Sequence, residues 1–309
     1  MSKKKKLALG MLIATGVVVG VRTKDKLAYR KTVDNTYLLN DITTKDFRIT
    51  TEDNAELYVR VLGHGEPYYL FSHCWTGDHR IWYKVAGSLA KNSTVVLYDH
   101  RGHGKSTVGS NFISLDLLAS DLQTVMNSVD APSWIVAGHS MGGITLQKVL
   151  VDNSEKVKAA VLVSTMAKPK KEFRRLMEAG AEILRMPAVD SLIEKNIFGP
   201  LALRMAFGKN PSDFDLVLMR DTFLACDPSI RGGLLKVFAG LNLKDDLSKI
   251  EVPTFVLVGK KDRLTPPGLA KSIAQNIRNS TLLEVDNAGH MLPLEAPDLV
   301  VEALMRASG

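Results

Sequence analysis

Short apolar runs alternate with amphipathic stretches along most of the chain after residue 45. An apolar run bounded by turn residues is typical of a buried strand, and apolar residues spaced three and four apart are typical of a helix. The alternation therefore predicts a mostly parallel β-sheet with helices on both faces, an α/β fold. The predicted strands are Pro67–Phe71, Thr94–Tyr98, Trp134–Gly138, Val157–Val163, Pro253–Val258 and Thr281–Val285, and the predicted helices are Ile81–Ala90, Leu115–Val129, Ile144–Val151 and Ala296–Arg306.

The start of this region has a different pattern. Phe47–Thr50 and Leu57–Leu62 are apolar stretches on either side of the polar residues 51–54. Two such stretches close together along the chain predict an antiparallel hairpin. The predicted sheet thus begins with an antiparallel N-terminal hairpin and continues with parallel strands.

Residues 166–246 contain helical patterns only. They predict an all-helical cap inserted between the two parts of the sheet domain, residues 45–165 and 247–309. Asn210-Pro211 and Asp227-Pro228 each place a polar residue before a proline, the combination that starts a helix. Methionines in the cap admit two interpretations, ordinary packing or a pliable apolar lid over a substrate. They are Met166, Met177, Met186, Met205 and Met219.

The N-terminal segment carries most of the positive charge. Residues 1–31 hold nine Lys and Arg against one Asp, a net charge of +8, so the rest of the chain sums to −1 within the total of +7. A nucleic-acid-binding protein carries its basic residues on the folded domain, so this class of partner is excluded. Lys3–Lys6 precede the uncharged stretch Leu7–Val21, which is short for a membrane span.

This arrangement favours an uncleaved signal anchor or short membrane helix within residues 1–31, followed by a linker over residues 32–44. A cleaved signal peptide and a soluble helix are the alternatives. The protein is therefore expected to be membrane-anchored through this segment, or secreted. The side of the membrane stays open, because Lys and Arg flank the apolar stretch at both ends.

The two cysteines, Cys74 and Cys226, form no disulfide framework and do not have the spacing of metal ligands. No metal site and no organic cofactor are expected from the sequence.

One serine lies where a strand is predicted to meet a helix. Residues 138–142 form a G-x-S-x-G pattern around Ser140, after the strand that ends at Gly138 and before the helix near Ile144. In that context the pattern predicts a sharp turn that exposes the hydroxyl as a nucleophile, with glycines on either side to avoid collisions. A glycine-rich structural turn is the alternative.

A serine hydroxyl needs a base, and the base needs an orienting group. On a sheet of this kind the catalytic residues follow the order Ser, acid, His, and His290 is the only histidine after Ser140. Asp262 follows the strand that ends at Val258, at the carboxyl end of the sheet where functional sites gather. Asp286 is too close to His290 along the chain to orient its ring. The predicted triad is therefore Ser140, Asp262 and His290.

Four blocks of residues resemble the α/β-hydrolase superfamily, in its serine-esterase and haloperoxidase-like branch with a helical cap. They are His73–Trp75, Asp99–Ser106, Gly138–Gly143 and the pair Asp262 and His290, within residues 45–309. The resemblance implies the α/β-hydrolase fold. It also implies an oxyanion hole formed by the backbone N–H groups of Trp75 and Met141, and structural roles for His100 and His103.

Cys74 stands where the family usually has glycine. Cysteine does not readily adopt a positive φ, so either the loop differs from the family's or Cys74 lines the pocket. The assignment of Trp75 depends on this loop. A catalytic role for Cys74 is disfavoured, because no motif is present that would lower its pKa.

These residues predict a serine hydrolase of the esterase or lipase type, which cleaves a lipophilic carboxylic ester, such as a monoacylglycerol or short acyl ester, through an acyl-enzyme. The same triad could instead serve a C–C bond hydrolase or a perhydrolase, or the pocket could belong to a non-catalytic ligand-binding protein. Serine rather than aspartate at position 140 argues against epoxide hydrolases and haloalkane dehalogenases, which by resemblance use a carboxylate there.

Overall fold

The strands of the described residues form one eight-stranded sheet. The computed structural model describes residues 42–194, 203–209 and 211–309. Within these residues the strands are β1 (Thr44–Thr50), β2 (Glu56–Leu62), β3 (Tyr68–Ser72), β4 (Thr94–Tyr98), β5 (Trp134–His139), β6 (Val157–Val163), β7 (Thr254–Gly259) and β8 (Ser280–Val285).

The strand order is β1-β2-β4-β3-β5-β6-β7-β8. The pairs β1–β2 and β2–β4 are antiparallel, and the other neighbouring pairs are parallel. The predicted fold class, a mostly parallel sheet that begins with an antiparallel hairpin, is therefore confirmed.

Helices connect the strands and cover the sheet. The described α-helices are α1 (Tyr83–Leu89), α2 (Leu115–Asn127), α3 (Met141–Asp152), α4 (Lys171–Ile183), α5 (Pro187–Glu194), α6 (Asp213–Ala225), α7 (Pro228–Ala239), α8 (Pro267–Asn276), α9 (Leu292–Glu295) and α10 (Pro297–Ser308). His79–Trp82 and Lys244–Lys249 are 3₁₀ helices.

Alternate residues of each central strand enter different hydrophobic cores. Leu70 of β3 packs in one core with residues of α2, α3 and α8, whereas Tyr69 and Phe71 pack in the other with residues of α1 and α10. This division follows from the two-residue period of a strand, which points successive side chains to opposite faces. Because both faces are covered there, the central strands β3, β4 and β5 are buried along almost their whole length.

Helices α4 to α7 lie between β6 and β7, in the segment for which the sequence predicts only helices. The domain boundaries near residues 165 and 247 stay a prediction. Of the cap methionines, Met166 and Met219 are buried in the cores and Met177 packs against one of them, whereas Met186 is exposed. Ordinary packing accounts for the first three.

Two cap helices begin at or near the residues predicted for them. Asp227 caps α7 as predicted, since its side chain accepts hydrogen bonds from the N–H groups of Ser229 and Ile230. Helix α6, however, begins two residues later than Asn210-Pro211 suggested. Ser212 is its N-cap, because the Ser212 hydroxyl accepts the N–H of Asp215.

The described residues, 42–194, 203–209 and 211–309, contain no helix long and apolar enough to span a membrane. The predicted N-terminal anchor, residues 1–31, and nearly all of the predicted linker, residues 32–44, lie outside the described part of the chain. Both stay predictions.

The carboxyl ends of the parallel strands meet at one edge of the sheet. From β3 the chain first crosses to β4 on one side and later returns to β5 on the other, so the crevice between β3 and β5 is the switch point where such sheets bind ligands. The loops that follow β3, β5, β7 and β8 therefore meet at this edge. They carry Trp75, Ser140, Asp262 and His290 respectively.

Candidate active site

Ser140 lies at a sharp turn between β5 and α3. Its backbone has φ 53° and ψ −110°, a conformation that a residue with a side chain rarely adopts and that persists only when surrounding contacts impose it. Two hydrogen bonds supply such contacts: the Ser140 N–H donates to Val163 O at 2.9 Å, and the Thr165 hydroxyl donates to Ser140 O at 2.7 Å. The neighbouring strand thus holds the strained residue in place.

Glycine is required on both sides of this turn. A Cβ atom on Gly138 would lie 2.4 Å from the carbonyl oxygen of Gly142, and a Cβ on Gly142 would lie 2.1 Å from the carbonyl oxygen of Ser72. Both distances are far inside van der Waals contact with backbone that cannot easily move. The G-x-S-x-G pattern therefore reflects a steric need of this turn.

His290 and Asp262 are brought together from loops after β8 and β7. The His290 Nδ1 atom lies 3.0 Å from Asp262 Oδ2, and both residues are buried, at 5% and 4% exposure. Burial opposes ionisation of Asp262, yet the charge and hydrogen bond of His290, together with hydrogen bonds from Thr265, hold its pKa below the usual range. The carboxylate is thus ionised at neutral pH beside the imidazole.

Asp286, the other acid considered from the sequence, is directed away from this pair. Its carboxylate forms an ion pair with Lys260 at 2.8 Å, and its side chain is 76% exposed. Asp262 is therefore the carboxylate that contacts His290.

The histidine that precedes the serine ties His290 to the turn. The Nε2 atom of His139 lies 2.8 Å from the backbone carbonyl oxygen of His290, so the imidazole donates that bond, and the two rings are 5.0 Å apart. Burial, and next the charge of His290, lower the pKa of His139 to about 3. The structure therefore brings His290 to the residue adjacent to Ser140, while the catalytic role of each triad member stays a prediction.

The N–H groups at the start of α3 have no acceptor within the helix, as at the start of any helix. Met141 is the first residue of α3, so its N–H is positioned at the positive end of the helix dipole, next to the Ser140 hydroxyl. This is the geometry expected of one oxyanion-hole donor.

The loop after β3 accommodates Cys74 without a positive φ at that position. The residue in the left-handed region is instead Thr76, with φ 57°. Cys74 is buried in a hydrophobic core, and burial raises the pKa of its thiol to about 12. Whether the loop differs from that of the family stays a prediction. The protonated thiol is unsuited to nucleophilic attack.

Two histidines fix the backbone of this loop to the turn after β4. His73 Nδ1 lies 2.8 Å from Cys74 O, and its Nε2 accepts the N–H of His100 at 2.9 Å. His103 Nδ1 lies 3.0 Å from Arg101 O, and its Nε2 accepts the N–H of Thr76 at 3.3 Å. Since each ring lies between a carbonyl and an N–H, each tautomer is set and each ring is neutral.

Trp75 links the same loop to the cap. Its indole N–H donates to the carbonyl oxygen of Arg231 at 3.1 Å, and Arg231 is fully buried in α7. The Arg231 guanidinium binds Leu184 O, Phe223 O and Asp190, which lie on or beside three other cap helices. The loop expected to provide the second oxyanion donor is therefore anchored to the centre of the cap.

One group of described residues could be considered for a metal. Ligand atoms of Asp78, His79 and Asp99 lie within 4.8 Å of one another. His79 places both its N–H and its Nδ1 atom 2.7 Å from Asp99 Oδ1, and Asp78 pairs with Arg80. These polar atoms already have protein partners, which favours a hydrogen-bonded anchor for the turn over a metal site.

Three residues that contact His290 or its loop are not predicted by the sequence: His139, Thr265 and Glu295. For Thr265 a signal exists, because an Asp followed three residues later by Thr can form a side-chain-stabilised turn. His139 and Glu295 have no comparable local signal, since the partner of His139 and the Gly208 partner of Glu295 come from distant segments.

Comparison with known proteins agrees with this architecture. Residues 72–297 match the family described as "Serine aminopeptidase, S33". A pimeloyl-acyl-carrier-protein methyl ester esterase of Chromobacterium violaceum is 29% identical over 76% of this chain and 91% of its own length. The non-heme chloroperoxidase CPO-A1 of Kitasatospora aureofaciens is 25% identical over 81% of this chain and 94% of its own length.

Among solved structures, the esterase EaEST from Exiguobacterium antarcticum superposes with a TM-score of 0.75 at 21% identity, covering 85% of this chain and 99% of its own. At that identity the similarity shows the fold alone. The family match extends over well more than half of the sequence. The chain therefore belongs to the S33 serine aminopeptidase family of the α/β-hydrolase superfamily, on its haloperoxidase-like branch, and is a hydrolase of that superfamily.

Proposed function

We propose that this hydrolase cleaves carboxylic esters through an acyl-enzyme, with Ser140 as nucleophile, His290 as base and Asp262 as the orienting acid. The main support is one arrangement. A strained serine follows a histidine that is hydrogen bonded to His290 O, and the His290 Nδ1 atom lies 3.0 Å from a buried, ionised carboxylate.

In the proposed reaction His290 Nε2 removes the hydroxyl proton as Ser140 Oγ attacks the ester carbonyl. Asp262 holds the ring with Nδ1 protonated and stabilises the imidazolium that forms. His290 then protonates the departing alcohol, which leaves an acyl group on Ser140. Water, deprotonated by His290, releases the acid and restores the serine.

The oxyanion of each tetrahedral intermediate needs fixed donors in a site that excludes water. We assign this role to the backbone N–H groups of Met141 and Trp75. The position of Met141 at the start of α3 supports the first, and the anchoring of the Trp75 side chain on Arg231 O supports the second.

We propose a lipophilic acyl group as the substrate class. The sequence of the cap, residues 166–246, is rich in leucine, methionine and phenylalanine, a composition that suits an acyl chain more than a charged acid. The related esterase from Chromobacterium violaceum acts, by its name, on a methyl ester of an acyl chain.

The proposal is tested with a fluorophosphonate probe and a series of p-nitrophenyl esters of increasing chain length. We expect labelling of the wild type and its loss in Ser140→Ala and His290→Ala, with kcat reduced about 10⁴-fold or more. Turnover should rise with chain length beyond acetate. An unlabelled, inactive wild type would identify a non-catalytic ligand-binding protein.

The chloroperoxidase relative favours one alternative, a perhydrolase that uses the same triad. Such an enzyme forms a peracid from a carboxylic acid and hydrogen peroxide. Peracid production that exceeds ester hydrolysis under matched conditions would favour it. Cleavage of a diketone without ester turnover would favour a C–C bond hydrolase.

We also propose that residues 7–21 anchor the protein to a membrane. Their uncharged composition between basic flanks supports this. Full-length protein should stay with membranes after an alkaline carbonate wash, and protein lacking residues 1–31 should not. Release of both forms would contradict the proposal.

A further inference from the structure

Glu295 is a buried carboxylate next to the His290 loop. It is the last residue of α9 and only 7% exposed. Its oxygens accept the N–H of Gly208 at 2.7 Å, of Gly289 at 3.0 Å and of Met291 at 3.1 Å. Two of these donors flank His290, and the third belongs to the cap.

The backbone of His290 itself is held on both sides. Its N–H donates to Ala206 O in the cap at 2.7 Å, and its carbonyl accepts the bond from His139 at 2.8 Å. The N–H groups of three consecutive residues, 289 to 291, therefore all have fixed acceptors. A loop held in this way cannot rotate the imidazole without breaking several hydrogen bonds.

Two glycines allow the cap and the His290 loop to approach backbone to backbone. A Cβ on Gly208 would lie 2.3 Å from the carbonyl carbon of Ala288, and a Cβ on Gly289 would lie 2.3 Å from the nitrogen of Gly208. Side chains at these positions would force the two segments apart. The contact is thus as close as backbones can come.

The charge of Glu295 is not offset by a basic side chain in the described residues, 42–194, 203–209 and 211–309, because none of the ion pairs found there includes it. Burying an unpaired carboxylate is costly. Three N–H dipoles offset that cost, since charge-assisted hydrogen bonds to a carboxylate are about twice as strong as neutral ones. A site that served packing alone would be more stable with an apolar residue, which favours a role in holding the loop.

We propose that Glu295 is a positioning residue that fixes His290 for proton transfer and joins its loop to the cap segment Leu203–Lys209. In this arrangement the placement of the base depends on the cap, so cap segment and base form one hydrogen-bonded unit. Only the expected effect of Glu295 on turnover rests on the proposed function. The hydrogen-bonded unit is a property of the fold that can be measured without a substrate.

The test compares Glu295→Gln with Asp53→Asn. Asp53 is the control for loss of a buried carboxylate, since it is also 7% exposed and also accepts a backbone N–H. It lies in the β1–β2 turn, where its side chain pairs with Arg101 and makes no contact with the His290 loop among its hydrogen bonds. Both variants should be less stable than wild type. Only Glu295→Gln should lower kcat for a p-nitrophenyl ester, by about 10- to 100-fold with KM within about twofold, because the amide places a donor against N–H groups.

Hydrogen exchange supplies the readout that needs no activity. In Glu295→Gln, the peptides covering residues 203–209 and 286–292 should exchange about tenfold faster than in wild type, or more. In Asp53→Asn, the same peptides should exchange at the wild-type rate. If the wild type hydrolyses no ester, the proposed function fails while this measurement still decides the role of Glu295.

Gly208→Ala is the second variant, in case Glu295→Gln does not fold. The added methyl group separates the cap from the His290 loop, so kcat should fall and exchange of residues 286–292 should rise. Gly268→Ala is its control, since a Cβ on Gly268 meets no atom within 4 Å. The inference would be overturned if Glu295→Gln kept both the kcat and the hydrogen exchange of the wild type. If only Gly208→Ala folds, the same result in that variant would overturn it.

Discussion

Asp262 is ionised in the interior because the chain around it satisfies both of its oxygens. Oδ1 accepts the N–H groups of Leu264 and Thr265, at 2.9 and 2.8 Å. Oδ2 accepts the Thr265 hydroxyl at 2.8 Å and lies 3.0 Å from His290 Nδ1. The hydroxyl oxygen of Thr265 is also 3.2 Å from that Nδ1, so one threonine contacts both members of the pair.

At the residue scale, we expect Thr265→Val to lower kcat/KM about tenfold. Valine has nearly the same shape but leaves Asp262 Oδ2 and His290 Nδ1 without the hydroxyl, a loss of about 1–3 kcal/mol at a buried polar group. Thr265→Ser keeps the hydroxyl and is the matched control. Steady-state ester hydrolysis measures both, and equal activity of the valine variant and wild type would show that the hydroxyl does not orient the imidazole.

At the element scale, two helices carry glycine at their second residue for different reasons. In α3 that residue is Gly142, which lies against the carbonyl of Ser72 at the end of β3. In α8 it is Gly268, which has open space around it. The first glycine is needed because helix and strand nearly touch below Ser140, whereas no contact requires the second.

Alanine should therefore have opposite effects at these two positions. Gly142→Ala puts a methyl group 2.1 Å from a backbone oxygen, and we expect a loss of about 3 kcal/mol or more in the free energy of unfolding. Gly268→Ala should increase that free energy by about 0.5–1 kcal/mol, because alanine restricts the unfolded chain. Urea unfolding measures both, and a stable Gly142→Ala would contradict the proposed steric constraint.

At the scale of the whole molecule, buried neutral histidines join the loops at the carboxyl edge of the sheet. Burial lowers the pKa of His73, lowers that of His100 well below its usual range, and lowers those of His103 and His139 to about 3. In the unfolded chain each titrates near 6.5. Between that pH and about 3 the unfolded chain binds more protons than the folded protein does, so acid favours unfolding.

We therefore expect stability to be greatest at and above neutral pH and to fall steeply between pH 7 and 5. For His103 and His139, whose pKa falls to about 3, the loss is roughly 2 kcal/mol each over that interval, a sizeable part of the total stability of a typical domain. Carboxylates with lowered pKa, such as Asp262 and Asp53, act in the same direction but only at lower pH, below about 5.

Urea midpoints measured across this pH range test the expectation. His103→Gln should give a shallower dependence, because one buried group no longer titrates. A midpoint that does not change between pH 7 and 5 would show that these histidines are not held neutral by the fold.

The parts of the site that the sequence could predict are those with local signals. Ser140 was identified because a buried strand, a G-x-S-x-G turn and a helix are consecutive along the chain. Asp262 and His290 followed from chain order and from the ends of strands. Thr265 has a local signal, since it follows Asp262 by three residues, but its contact with His290 comes from a distant segment. His139 and Glu295 could not be found in this way, because their hydrogen bonds go to backbone groups, several of them distant in sequence.

The sequence alone determined the class of fold, the order of its strands and helices, and the residue types available for catalysis, because apolar periodicity and turn residues act over short stretches of chain. Only the tertiary structure decided how the loops meet: that His290 lies against Asp262 and His139, that Cys74 needs no positive φ, and that Glu295 binds the cap to the His290 loop. Those outcomes depend on distances between segments that are far apart along the chain, and no local pattern encodes such distances.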